Sequence, residues 1–405
     1  MHSAQESNIT EEKNANQRKS FYSIHTFEIR IPLKPDTQRK YLMFLKNNCT
    51  YNKKRTHYRN RLYDEARQHH PNNSYVNCFH CYNNDRLFSL GISDICIVEK
   101  KILWYRSYIC NTETSLTFRV NPRILLGYPE NKYICIVPSD ELENIMSSLV
   151  GILMPYGFEQ NDLENAFIKR LDICANINLG DQSSAERYLK LLRKGGFYRG
   201  LRFKYMPISP KSHRRMHPPN EVRFLNQPTA SYPIETLSIY LKHPQMLEKS
   251  IRYNAAEIER AKGQIRFELR IGSRKNIYLK KKYDCNAPTE LISIAETIGA
   301  DTLSKYLEGL YGKGKFIKYS KAIDLIEHAD NHHKATRDTM IQIVNQTRKT
   351  DLADAFRLLP PERICWFRKY FNELGISPIT LRDSWKENSF ENPAVYIVTQ
   401  NVNEK

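Results

Sequence analysis

Four side chains in three short stretches have the types needed to open a phosphodiester. They are Tyr240 and Lys242 in TLSIYLKH (236–243), Asp172 in RLDICANINL (170–179) and Glu268 in GQIRFELRI (263–271). A phenol can attack phosphorus, an ammonium can neutralise the charge that develops, and two carboxylates can hold Mg2+ or Mn2+ through oxygen. Each stretch alternates apolar and polar residues with the period of a half-buried strand. Leu237, Ile239 and Leu241 alternate with Ser238, Tyr240 and Lys242. Leu171, Ile173, Ala175 and Ile177 oppose Asp172, Asn176 and Asn178. Ile265, Phe267, Leu269 and Ile271 oppose Arg266, Glu268 and Arg270. If these strands share one sheet with one buried face, Asp172, Tyr240, Lys242 and Glu268 share its other, open face. The same patterns also describe ordinary surface strands, with Arg266–Glu268–Arg270 as cross-strand charge pairing.

The remainder of the 405-residue chain places further strands before these and helices after them. FEIRIPL (27–33), ISDICIVE (92–99), ILWYRSYI (102–109) and SLTFRVNP (115–122) read as strands. SDELENIMSSLVGIL (139–153) predicts an amphipathic helix with Ser139 as N-cap, and a second helix is expected from about Ser183 to Arg193. The basic, Asn-rich segment 47–75 reads as an exposed insertion, and 195–235, with its KSHRRMH cluster, as a loop. From about residue 287 the pattern is helical, through PPERICWFRKYFNELG. These elements predict a disordered tail over 1–20, an α+β domain over 21–285 with a basic insertion near 47–90, and a helical C-terminal domain over 286–405.

With 62 Lys and Arg the formal charge is +18, which points to a polyanionic partner: nucleic acid first, an anionic membrane second. The first 20 residues are polar and the most apolar stretch, IMSSLVGILMPYGF, is too short to span a bilayer, so a soluble intracellular protein is expected. Nine cysteines, an odd number, argue against a disulfide framework. The lone CxxC at 78–81 (CFHC) lacks a second ligand pair and reads as free thiols in a loop.

IYLKH (239–243), RLD (170–172) and IRFELRI (265–271) resemble, in the same order and at similar spacing, segments of the filamentous-phage gene II replication initiator family. FEIRIPL, SLTFRVNPRILLGY (115–128) and PPERICWFRKYFNELGISPITL (360–381) extend the likeness over most of the chain. The resemblance implies a rolling-circle origin nickase with a central antiparallel sheet flanked by helices. Tyr240 would be the nucleophile, Lys242 its basic assistant, and Asp172 and Glu268 ligands of Mg2+ or Mn2+. Glu28 is a candidate third ligand, because Thr117 stands where the family has an acidic residue; His243 matches the motif as either a ligand or a structural residue. Arg266 and Arg270 are expected on DNA, as are Arg368 and Lys369 unless the late helices only buttress the sheet. Implied partners are the double-stranded origin, the displaced single strand, and the helicase and polymerase of a bacterial host, in its cytoplasm. A non-catalytic origin or operator binder and a mobilisation relaxase remain as alternatives, and Tyr253 is the substitute nucleophile.

Overall fold

The computed structural model describes residues 22–68, 75–104, 108–128, 136–197, 201–203, 206–207, 215–216, 220–226, 235–248 and 254–399. The tail 1–20, Tyr253 and most of KSHRRMH lie outside them. Among the described residues, ten strands form one antiparallel sheet. They are β1 (Ser23–Leu33), β2 (Thr50–Tyr51), β3 (Tyr75–Asn83), β4 (Ile92–Trp104), β5 (Tyr108–Val120), β6 (Phe167–Asn178), β7 (Leu201–Phe203), β8 (Glu221–Asn226), β9 (Glu235–Leu241) and β10 (Gln264–Gly272). Their order across the sheet is β2-β3-β4-β5-β1-β6-β10-β9-β8-β7. The three motif strands are therefore neighbours, as β6-β10-β9.

The helices used below are α1 (Pro35–Asn48), α2 (Lys53–Gln68), α3 (Asn144–Leu153), α4 (Gln182–Leu192), α5 (Lys242–Leu247), α6 (Ala255–Arg260), α7 (Ser273–Lys282), α8 (Ala295–Tyr311) and α9 (Pro361–Glu373). The apolar residues of each central strand fall on one face and are buried with residues of α1, α3, α4 and α8. Phe27, Ile29, Leu171, Ile173, Leu237, Ile239, Ile265 and Phe267 are fully buried there. Burying one such side chain contributes roughly 1.5–3 kcal/mol. The late helices join the same core through Leu303, Tyr306, Leu310, Phe367 and Phe371. Gly299 of α8 lies so close to the Tyr22 ring that a Cβ would collide with it, which lets the helix seat directly at the start of β1.

Segment 47–75, expected as an exposed insertion or loop, contains α2. Its helix-forming stretch has no Gly or Pro from 53 to 68. The inward side is polar, so no apolar periodicity announced it. Thr56 Oγ1 accepts from the Cys81 amide at 2.9 Å, and Asn60 bonds both the amide and the carbonyl of Phe79, at 2.8 and 3.1 Å. These i, i+4 side chains occupy the backbone groups along the outer edge of β3, beyond its two-residue pairing with β2. CFHC lies on β3 rather than in a loop, with the Cys81 and Cys96 thiols 2.8 Å apart across β3 and β4. The presumed loop 195–235 supplies β7 and β8, and Val222 and Phe224 of β8 reach the core. The face opposite the core carries α2 at one end. At the other end α5 and α6 pack through Met246, Ile258 and Ala261.

Candidate active site

Cross-strand register aligns the polar residues of the central strands in rows. Tyr240 pairs with Arg266, and Arg266 with Asn176; Ser238 pairs with Glu268, and Glu268 with Cys174; Arg270 pairs with Asp172, and Asp172 with Thr26. Asp172, Glu268 and Tyr240 thus share one face, as their alternation requires. The face is not open at this point. Asp172 is 0% exposed, Arg266 3%, Lys242 4%, Tyr240 7% and Glu268 8%. The expectation of a solvated surface fails because α5 lies against β9 and β10, with α6 packed on α5.

Two irregularities in the β1–β6 pair enlarge this polar row. Between Ile24 and Thr26 the register slips, so His25 is an extra residue opposite β6. His25 and Thr26 then both leave the core, while Ile24 and Phe27 on either side are buried in it. On β6 the slip lies between Arg170 and Ile168, and Lys169 and Arg170 are likewise both displaced from the core.

His25 lands beside the two acids. Ligand atoms of His25, Asp172 and Glu268 all lie within 4.8 Å of one another. His25 Nδ1 is 2.9 Å from Glu268 Oε2, close enough for both atoms to face one cation. One imidazole nitrogen and two carboxylate oxygens can hold a divalent cation, and the mixed set suits Mn2+ at least as well as Mg2+. Asp172 also accepts from Thr26 Oγ1 at 2.8 Å, from Arg170 Nε at 2.7 Å and Nη2, and from Arg270 Nε at 3.3 Å. A cation would share that carboxylate with the arginines.

The Tyr240 hydroxyl donates to Glu268 Oε2 at 3.0 Å. Burial pushes the phenol well above its ordinary range and the Glu268 charge adds to it; Arg266 and a hydrogen bond with Gln245 oppose them. Burial also favours the neutral form of Glu268, but His25, Arg270 and Arg266 outweigh it and hold the carboxyl well below the usual range. Lys242 is not on the strand. β9 ends at Leu241 and Lys242 opens α5, because Pro244 cannot extend the ladder but is tolerated in a first helical turn. Its ammonium still reaches the tyrosine, 5.8 Å from the ring centroid, and donates to Gln245 Oε1 at 3.1 Å.

The other expected residues are distributed elsewhere. Glu28 lies on the same face but outside the His25–Asp172–Glu268 group. It is held by Arg119 Nη2 at 2.7 Å, Arg170 Nη1 at 3.4 Å and Lys169 Nζ at 3.7 Å. Burial raises its pKa, yet these three cations bring the carboxyl down to about 2. His243 is half-buried on α5, outside that group. Arg266 is buried and donates to Asn176 Oδ1 at 2.8 Å, so it supports the site rather than presenting itself to DNA. Arg270 is half-exposed at the site's rim. Arg368 is an internal bracket: it donates to the Gly309 carbonyl at 2.6 Å and covers the Phe356 ring at 5.0 Å. Lys369 is exposed beside Glu373.

No protein-family model matches the chain, and no curated protein does. Among solved structures the chain is similar to a rolling circle replication initiator protein from Geobacillus stearothermophilus, at 9% identity over 71% of this chain and 84% of that one, with a TM-score of 0.31. A score that low leaves the superposition without force for fold or function.

Proposed function

We propose that the protein is a DNA strand-nicking and strand-joining enzyme that initiates replication, with Tyr240 as nucleophile. The observation that carries this reading is the convergence of Tyr240, Glu268, Asp172 and His25 on one face. Three sequence stretches that resemble the filamentous-phage gene II initiators meet in that row. In the reaction Tyr240 Oη forms a bond to phosphorus, the 3′-oxygen leaves, and a 5′-phosphotyrosine with a free 3′-hydroxyl results. The phosphodiester is exchanged rather than hydrolysed, so the same site can reverse the step and rejoin the ends.

Glu268 Oε2, already bonded to the phenol, orients it and receives its proton as the bond to phosphorus forms, an uphill transfer that the cations stabilising the phenolate must offset. Arg266, which hydrogen-bonds to Tyr240, and the Lys242 ammonium stabilise the phenolate. Mg2+ or Mn2+ bound by His25, Asp172 and Glu268 would supply Lewis-acid stabilisation of the scissile phosphate and the leaving oxygen. Since Tyr240 is almost fully covered, a phosphate reaches Oη only when α5, with Lys242 and Gln245, shifts away from the ring.

The test is incubation with supercoiled replicon DNA plus Mg2+ or Mn2+, followed by recovery of protein joined to a 5′ end. Tyr240→Phe should bind the same DNA and form no adduct. An undiminished adduct from that variant would sink the assignment of Tyr240. Origin binding by wild-type protein without any adduct, in either metal, would favour the non-catalytic alternative.

A further inference from the structure

Resting on the nicking reading, we infer that a single-stranded DNA segment is led to the site along a cationic track running from α2 across β4, β5 and β1. α2 shows outward a stripe of Lys53, Lys54, His57, Tyr58 and Arg61, all exposed. From residue 50 to 63 the sequence contains no acid. The Arg61 guanidinium lies 5.8 Å from the Tyr58 ring centroid, and Tyr51 on neighbouring β2 is 48% exposed. Basic groups interleaved with exposed aromatic rings fit unpaired nucleotides, whose phosphates take the charge and whose bases stack. A duplex keeps its bases stacked on each other and has no use for the rings.

The track continues inward as linked ion pairs. Arg55 contacts Asp94 at 2.5 Å, Asp94 contacts Arg119 at 2.9 Å, and Arg119 contacts Glu28 at 2.7 Å. Glu28 then meets Arg170, which binds Asp172 of the site. β3, where α2 is seated, and β6 are four strand spacings apart, about 19 Å. The acids do not balance the cations along this path. Arg59 approaches Asp94 only at 3.9 Å, and Lys169 shares Glu28 with two arginines. Lys169 is pushed down by burial, with Arg59 and Arg30 adding to the effect against Glu28. Arg30 makes no ion pair among the described residues, and its buried Nε meets no hydrogen-bond partner there. An arginine left over in a crowd of cations is suited to a phosphate that arrives with the substrate.

Binding of a fluorescent oligothymidylate, measured by anisotropy over a range of salt, tests this. Arg30→Ala and the pair Lys54→Ala/Arg61→Ala should each weaken binding about tenfold at physiological salt. The log–log salt slope should flatten by roughly 0.7 for each single-strand phosphate that the variant no longer neutralises. Lys280→Ala/Lys281→Ala, on α7, removes as much charge away from the track and should change neither. Equal flattening by the α7 pair would show that only the net charge matters and would overturn the track. So would tighter binding of duplex than of single strand. Normal adduct formation with unchanged binding in the track variants defeats this inference and leaves the nicking reading intact. Track-dependent binding without any adduct from the wild type does the reverse.

Discussion

Glu28 and Glu268 lie on the same face of one sheet, with a single strand between theirs, and both are acids, Glu268 buried and Glu28 nearly so, held below the usual carboxylate range. Their partners differ in kind. Glu28 is enclosed by three basic side chains, Arg119, Arg170 and Lys169. Glu268 meets a phenol and an imidazole, groups that can release or accept a proton. Burial and charge alone would rank the two carboxylates together. The exchangeability of their neighbours separates an acid that fastens strands from one equipped for chemistry.

The sharpest way to break this contrast is to neutralise each acid in turn. Glu268→Gln should abolish adduct formation, a loss of several orders of magnitude like that of Tyr240→Phe, in protein that is still folded though weakened by the lost counter-charge of Arg266 and Arg270. Glu28→Gln should instead strike stability, by about 3 kcal/mol, because it leaves three cations around an uncharged amide. Thermal unfolding and adduct yield, measured on both, decide the matter; reversed outcomes would exchange the two roles. Next in size, His25→Ala should cut nicking by about 100-fold and raise the metal concentration needed for half-activity. An unchanged metal titration would remove His25 from the ligand set.

The acid limb of the stability curve gives a smaller and more specific signal. The Glu28 carboxyl falls from 4.5 to about 2 on folding. A depressed folded value means that its stabilisation, about 3 kcal/mol, is complete above the unfolded value and is lost as pH falls from about 4.5 toward 2. Denaturant unfolding of wild type should weaken through that window, and Glu28→Gln should remove that part of the slope. The smallest expected effect concerns α9. Arg368→Ala should cost about 1–2 kcal/mol by removing its carbonyl bond and its cover of the ring, with no change in the salt slope of DNA binding. Lys369→Ala should change neither by a measurable amount. A flattened slope for Arg368→Ala would return that helix to the DNA interface.

Alternation in RLDICANINL, TLSIYLKH and IRFELRI was enough to place Asp172, Tyr240 and Glu268 on one face, and the apolar halves of those strands are the core. What it could not show was cover: α5 and α6 pack through few apolar residues, so nothing in the strands marked their wet side as buried. The alternation begins at Phe27 and Arg170, just beyond the slips, and so leaves out His25 and Lys169 and gives Arg170 no role. The signal was present as a phase break. Ile24 and Phe27, and again Ile168 and Leu171, are buried residues three apart where strands otherwise step by two. α2 gave no apolar period because its inner side works through Thr56 and Asn60. Arg368 looked like a surface cation since a helix stripe does not tell which neighbour will claim a long side chain.

The way α2 closes the margin of β3 bears on how the molecule behaves when damaged or overconcentrated. A bare strand margin is a template on which a second chain can add itself, and long margins seed aggregates. Thr56, Asn60 and the Asn52 amide use up the amide and carbonyl groups of residues 79 and 81. A proteolytic cut that released 53–68 would therefore do more than remove positive charge. It would turn a capped border into an adhesive one, and the clipped protein should come out of solution through ordered self-association while its core is still folded.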